Sequence, residues 1–153
     1  MQTRRKTIQH SMVVASLLAT AGFPQFANAA FNKVGFDAKS IQDAVKAYGG
    51  GNISESKDVT VTAPDIAENG AVVPVRIEID TSVLSDVSKI YVIVEKNPNP
   101  LAAVFQVPPN TQPYAETRVK VAQTGNLYAV AEANGQLYMM QRETKVTLGG
   151  CGG

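Results

Sequence analysis

From residue 73 onward the sequence alternates with a period of two, and this constrains the fold more than any other feature. Val73, Val75, Ile77 and Ile79 are interleaved with Pro74, Arg76, Glu78 and Asp80. Ala115, Thr117, Val119 and Val121 are interleaved with Glu116, Arg118 and Lys120. Successive side chains of a strand point to opposite faces, so both stretches predict strands with one buried and one wet face. Residues 90–94, Ile-Tyr-Val-Ile-Val, form a continuous apolar run, as expected of a strand covered on both faces. Shorter strands are expected at 59–62 and 102–107. Asn134-Gly135 separates residues 127–133 from 136–148, and this dipeptide suits the positive φ angles of a two-residue type I′ turn. The last two strands are therefore expected to form an antiparallel hairpin.

A single helix is expected before these strands. Ser40-Ile41-Gln42-Asp43 reads as a capping box, and Ile41, Ala44, Val45 and Tyr48 follow at helical spacing until Gly49-Gly50-Gly51 stops the run. Tyr48, on this stripe, reads as core. Six or seven strands with one helix predict an all-β chain: an antiparallel immunoglobulin-like β-sandwich with one short N-terminal helix and a flexible C-terminal glycine-rich arm. The inference rests on pattern, because the sequence has no Trp and only one Cys to serve as sandwich landmarks.

Local features refine this expectation. Pro74 cannot donate to a ladder and suggests an edge strand or a bulge. Asn97-Pro98-Asn99-Pro100 and Pro108-Pro109-Asn110 read as stiffened connecting loops. Of Met139 and Met140, one thioether should point inward and one outward, the outward one being a candidate for a subunit interface. Arg76, Arg118 and Arg142 read as isolated outward strand residues that solvate the surface.

Residues 1–29 follow the pattern of an export signal: Arg4-Arg5-Lys6, an apolar stretch over 12–21, and small residues at Ala27-Asn28-Ala29, with cleavage before Ala30. The stretch is about half the roughly 20 residues that would cross a bilayer, so no membrane anchor is expected. Thr3-Arg4-Arg5 resembles a twin-arginine signal, although Thr7 and Gln9 stand where that signal usually has Phe and Lys. The expected organisation is a cleaved signal at 1–29, a β-sandwich at 30–148 and an arm at 149–153, located in the periplasm.

Charge and composition remove whole classes of function. The signal holds three of the 14 bases and none of the 13 acids, so the mature part has 11 bases, 13 acids and a formal charge of −2. It has no basic run, which makes nucleic acid a poor partner. The only histidine, His10, leaves with the signal. With no His and one Cys, the mature chain cannot build a Ser-His-Asp or Cys-His pair, or a His- or Cys-rich zinc site. No metal, cofactor or catalytic residue of its own is expected, and the chain does not read as an enzyme.

The sequence ends Thr147-Leu148-Gly149-Gly150-Cys151-Gly152-Gly153. Glycine loses the most entropy on ordering and has no side chain to bury, so Gly149, Gly150, Gly152 and Gly153 predict an unpacked arm around Cys151. Cys is otherwise among the most buried residue types. No second cysteine exists for an intramolecular disulfide, and an odd thiol in an exported protein signals intermolecular pairing or a reactive group. A catalytic thiol needs a fixed base and a preorganised pocket, and neither is offered here, so the tail favours a carrier thiol activated by a partner's active site. The three residues from Leu148 to Cys151 give about 10 Å of reach, enough for a slim arm to enter a narrow cleft.

These residues resemble those of a known family. The signal, the β-rich domain, the stretch from Glu68-Asn69-Gly70-Ala71-Val72-Val73-Pro74-Val75 through Asn97-Pro98-Asn99-Pro100, and the terminal run from Lys145 to Gly153 are similar to the SoxY family, sulfur-carrier subunits of the periplasmic Sox thiosulfate-oxidising system. The resemblance implies that Cys151 carries sulfur intermediates covalently as thiosulfonate- and persulfide-type adducts. It implies a heterodimer with SoxZ, a β-sandwich subunit without its own export signal. It also implies three partner enzymes: a c-type cytochrome complex that couples thiosulfate to the thiol, a metal-dependent hydrolase that releases sulfate, and a molybdenum enzyme that oxidises the remaining sulfane sulfur.

Two other readings stand beside this one. An exported structural or adhesive β-sandwich, cross-linked through an interchain Cys151 disulfide, is the alternative account of the lone thiol. A ubiquitin-like carrier activated at the Gly153 carboxylate accounts for the terminal glycines, but the export signal separates the chain from cytoplasmic ATP.

Overall fold

A computed structural model describes residues 32–147. Their element order is α1 (Lys33–Asp37), α2 (Ile41–Lys46), β1 (Ile53–Glu55), β2 (Val59–Thr62), β3 (Ile66–Ala67), β4 (Val73–Ile79), β5 (Val87–Val94), β6 (Leu101–Gln106), β7 (Tyr114–Val119), β8 (Gly125–Ala133) and β9 (Gln136–Val146). The strands form two sheets, so the fold is the all-β, immunoglobulin-like sandwich expected from the alternation. One sheet runs β1-β9-β8-β5-β6, with β3 also on β9, and the other runs β2-β4-β7. The signal segment 1–29 and the arm 149–153 lie outside the described residues.

The period of two does what the pleat demands. In β4, Val73, Val75, Ile77 and Ile79 are buried while Pro74, Arg76 and Glu78 face water. The buried set packs between the sheets against Ile90, Val92, Val94, Leu127, Ala129 and Ala131. The run at 90–94 is buried throughout because β5 is covered on both faces. Its other face, Tyr91 and Ile93, packs with Val130, Leu137, Ala44 and Val45 under the two helices.

The capping box forms as expected. Asp43 N donates to Ser40 Oγ at 3.1 Å, and the Ser40 hydroxyl donates to Asp43 Oδ2 at 2.7 Å. The helix ends at Lys46 and the chain leaves it through Gly49 at φ +86°. Tyr48 packs edge-on against Tyr91, with ring centroids 5.8 Å apart and planes at 76°. Asn134 and Gly135 take φ +50° and +74°, and β8 and β9 pair antiparallel from Ala133↔Gln136 to Gly125↔Thr144.

Three expectations are corrected. A second helix, α1, precedes the capping box: Asn32 accepts from Gly35 N at 3.1 Å and donates to Ala47 O at 2.6 Å. The strand holding Pro74 is the middle strand of its sheet, between β2 and β7. However, β2 reaches only as far as Thr62↔Arg76, so at Pro74 β4 has a neighbour on the β7 side alone. Finally, Met139 and Met140 are both partly buried, Met139 against the helix-side cluster and Met140 against the inter-sheet core.

Thr144 is fully buried, and its hydroxyl has no hydrogen-bond partner. Thr144→Val keeps the shape and removes an unpaired polar atom, so it should stabilise the fold by about 1 kcal/mol. A denaturant titration showing no gain or a loss would mean that the hydroxyl is satisfied.

A second polar group sits at the helix–sheet boundary. Glu132 accepts from Lys89 Nζ at 2.9 Å and from the Tyr91 hydroxyl at 2.8 Å, and Lys89 also reaches Tyr48 O at 3.4 Å. Burial pushes the Glu132 carboxyl up, but the hydrogen bonds from Lys89 and Tyr91 outweigh it and hold it below the usual range. Burial, then the bond to Glu132, raises the Tyr91 phenol. A depressed carboxyl stabilises the fold above its unfolded pKa of about 4.3, and this contribution is lost as pH falls through the folded value. Denaturant midpoints measured against pH should therefore fall less steeply below about pH 4 in Glu132→Gln than in the parent.

Candidate functional site

The described structure bears on the tail through the place where the chain leaves the sandwich. The strand β9 is the longest, at 11 residues, and runs from the Asn134-Gly135 turn to the opposite end of the domain. There Val146 N donates to Thr124 Oγ1 at 2.9 Å, Lys145 N to Asp65 O at 2.9 Å, and Thr147 N to Ala67 O at 3.1 Å. The Thr147 hydroxyl donates to Glu68 O at 3.1 Å. By connectivity alone Cys151 follows four residues later.

The acceptors come from a segment that changes sheets. The strand β1 pairs parallel with the start of β9, the chain crosses to the other sheet as β2, and it returns as β3 to pair parallel with the end of β9. Arg142 pins the return: its Nε donates to Ala63 O at 2.9 Å, and its guanidinium meets Asp65 Oδ1 at 2.6 Å. This corrects the reading of Arg142 as a solvating residue. Arg76 is likewise paired, with Glu116 at 3.3 Å, and lies over the Tyr114 ring.

The next turn is built by Asn69, whose Oδ1 accepts from Ala71 N at 2.9 Å, while Gly70 O accepts from Val121 N at 2.7 Å. Asn97 ties the neighbouring loop to this end, donating to Lys120 O at 2.8 Å and accepting from Ala122 N at 2.9 Å. Close by, the Asn126 amide donates to Glu95 and holds that carboxyl below its usual range against the opposing effect of burial.

Sequence reasoning named Cys151 and its glycines but did not name Thr124, Thr147 or the segment at 65–68, whose hydrogen-bond partners lie 22 to 80 residues away. Cys151, Gly149, Gly150, Gly152 and Gly153 lie outside the described residues. Among the described residues, no three His, Cys, Asp or Glu side chains are grouped to hold a metal ion, and no helix is long and apolar enough to cross a membrane. A cleft of mixed character, lined by Thr81, Ser85, Asp86, Asn110 and Thr111 together with Leu84, Val87, Pro108, Pro109 and Pro113, lies beside the β8–β9 turn, where Asn134 donates to Ser85 O at 3.2 Å. It adjoins the far end of β9 from Thr147.

The described residues form a two-sheet sandwich whose last strand is anchored at its end, and the sequence's one cysteine follows a few residues beyond it. The comparisons give the particular family. Residues 44–151 match the family model described as sulfur oxidation protein SoxY, and the match ends at Cys151. The structure of the sulfur carrier protein SoxY from Chlorobium limicola f thiosulfatophilum is 38% identical, superposes with a TM-score of 0.62, and matches over 70% of this chain and 96% of that chain. No curated protein matches. The chain belongs to the SoxY family, and its role is that of a sulfur carrier in sulfur oxidation.

Proposed function

We propose that Cys151 is the point of covalent attachment, and that residues 149–153 are an arm carrying sulfur intermediates between partner enzymes in the periplasm after removal of residues 1–29. The observation that carries this reading is a lone cysteine between two glycine pairs, four residues beyond the last anchored residue, in a chain of the SoxY family. In the first step the Cys151 sulfur bonds to the sulfane sulfur of thiosulfate. The thiol proton and two electrons leave, the electrons passing to a c-type cytochrome complex. Water then cleaves the bond between the sulfane and sulfonate sulfurs at a metal-dependent hydrolase, releasing sulfate and leaving a persulfide on Cys151. A molybdenum enzyme oxidises that remaining sulfur.

The chain itself performs no bond chemistry on this reading. It supplies the sulfur atom, the reach and the docking of the domain, together with a SoxZ-type β-sandwich subunit. Alkylation of Cys151 with iodoacetamide before assay should abolish thiosulfate-dependent electron transfer in the reconstituted system. Activity that survives complete alkylation would instead favour the structural reading, in which the thiol only cross-links two chains.

A further inference from the structure

The sequence carries the pair Asn-Gly twice, at Asn69-Gly70 and at Asn134-Gly135. The pair has a chemistry of its own: the nitrogen that follows an asparagine can attack the side-chain carboxamide, and glycine presents no Cβ to obstruct the approach. Both asparagines are exposed. The fold holds their carboxamides in opposite ways.

At Asn134 the carboxamide is tied to another loop. Its nitrogen donates to Ser85 O and to Ser85 Oγ, each at 3.2 Å. The backbone stands at φ +50° in a two-residue turn closed by Ala133↔Gln136, so bringing the Gly135 nitrogen round to the side chain would undo the turn. At Asn69 the carboxamide is folded over the following peptide. Asn69 Oδ1 accepts from Ala71 N at 2.9 Å, and the ring closed by this bond contains both Asn69 Cγ and the Gly70 nitrogen. The main chain around it is fixed, because Asn69 O accepts from Val72 N at 3.4 Å and Gly70 O from Val121 N at 2.7 Å. The Gly70 N–H donates to no group among the described residues. The Ala71 N–H, in turn, points at the oxygen on which negative charge develops when Cγ is attacked.

We propose that Asn69-Gly70 is a self-modification site of the folded protein. The Gly70 nitrogen bonds to Asn69 Cγ, and its proton leaves with the carboxamide nitrogen as ammonia. Water then opens the cyclic imide. Opening at Cγ restores the main chain and gives aspartate, whereas opening at the main-chain carbonyl gives isoaspartate, whose main chain runs through the former side chain. Water is the only co-reactant. Either product sets a new carboxylate next to Glu68 in the turn between β3 and β4. Isoaspartate also lengthens that turn by a methylene and draws the acceptors away from Ala71 N and Val72 N. The converted fraction grows with the time spent folded, so it records the age of the molecule.

Asn134-Gly135 is the internal standard. In the purified folded protein held at mildly alkaline pH, peptide mapping should show amide-to-acid conversion at Asn69 at least ~10-fold faster than at Asn134, since misplacing the reacting atoms carries a penalty of at least that size. In denaturant, where both turns are lost, the two rates should come within ~3-fold of each other. An isoaspartyl methyltransferase should label the peptide holding residue 69 in aged folded protein. Amide exchange at Ala71 and Val72 should rise with ageing and stay at the parent level in fresh Asn69→Asp, whose carboxylate still accepts from Ala71 N. Equal rates in the folded protein, or faster conversion at Asn134, would overturn the proposal. So would a preference for Asn69 that persists undiminished in denaturant, because it would then come from the neighbouring sequence and not from the fold. None of these readouts involves Cys151 or a partner enzyme, so the outcome is independent of the sulfur-carrier reading.

Discussion

Cys151→Ser is expected to reduce thiosulfate-dependent turnover of the reconstituted system to the rate seen without the protein. A hydroxyl is a poor nucleophile at neutral pH and forms no stable sulfur–sulfur linkage, so no intermediate can be held. No other residue can substitute, because the sequence contains a single cysteine. On the carrier reading the thiol takes no part in holding the fold, so thermal and denaturant unfolding should give a stability within about 0.5 kcal/mol of the parent. Binding to a SoxZ-type subunit should be retained. Loss of turnover with intact folding and partner binding separates a carrier thiol from one that serves only stability. A structural cross-link would instead show up as a change in oligomeric state without loss of chemistry.

The second large effect concerns the core of the sandwich. Ile77 is 1% exposed on the inner face of β4, and its neighbour Glu78 lies on the outer face. Ile77→Ala should cost about 2–5 kcal/mol, because it removes buried methylene groups and leaves a cavity between the sheets. That is a large fraction of the roughly 5–15 kcal/mol that holds a domain of this size folded. Glu78→Ala should change stability by no more than about 0.5 kcal/mol. Paired denaturant titrations decide the matter, and similar losses at both positions would contradict the assigned faces of β4.

The features legible in the sequence were those fixed by neighbours in the chain. Alternation over 73–80 exposed β4, the Asn134-Gly135 pair exposed the hairpin, and Ser40 with Asp43 exposed the start of a helix, since each depends on residues a few positions apart. Other features depended on distant partners. The five residues of α1 lack a helical stripe of their own, and the helix is secured by the Asn32 bonds and by contact with the turn near Tyr48. A Cβ at Gly35 would lie 2.5 Å from the Tyr48 ring. The short strands β1 and β3 carry no pattern of their own, because their parallel register is supplied by β9. Pro74 suggested an edge, and the edge is local: β2 stops short of it. Arg142 looked solvated because its acceptors, Ala63 O and Asp65, lie 79 and 77 residues away.

At the candidate site the residue types were readable and the mechanics were not. A cysteine between glycines is a statement of composition, visible without coordinates. The anchoring of Thr147 against Ala67 and Glu68 emerges only when the chain has crossed to the second sheet and returned.

The most direct test of the carrier account is the intact mass of the protein isolated from the periplasm without reductant, repeated after reduction and after exposure to thiosulfate with the partner enzymes. The account predicts a chain beginning at Ala30, with sulfur-containing adducts confined to the C-terminal peptide holding Cys151 and removed by reductant. A fully disulfide-linked pair that never acquires an adduct, even with thiosulfate and the partner enzymes present, would contradict it.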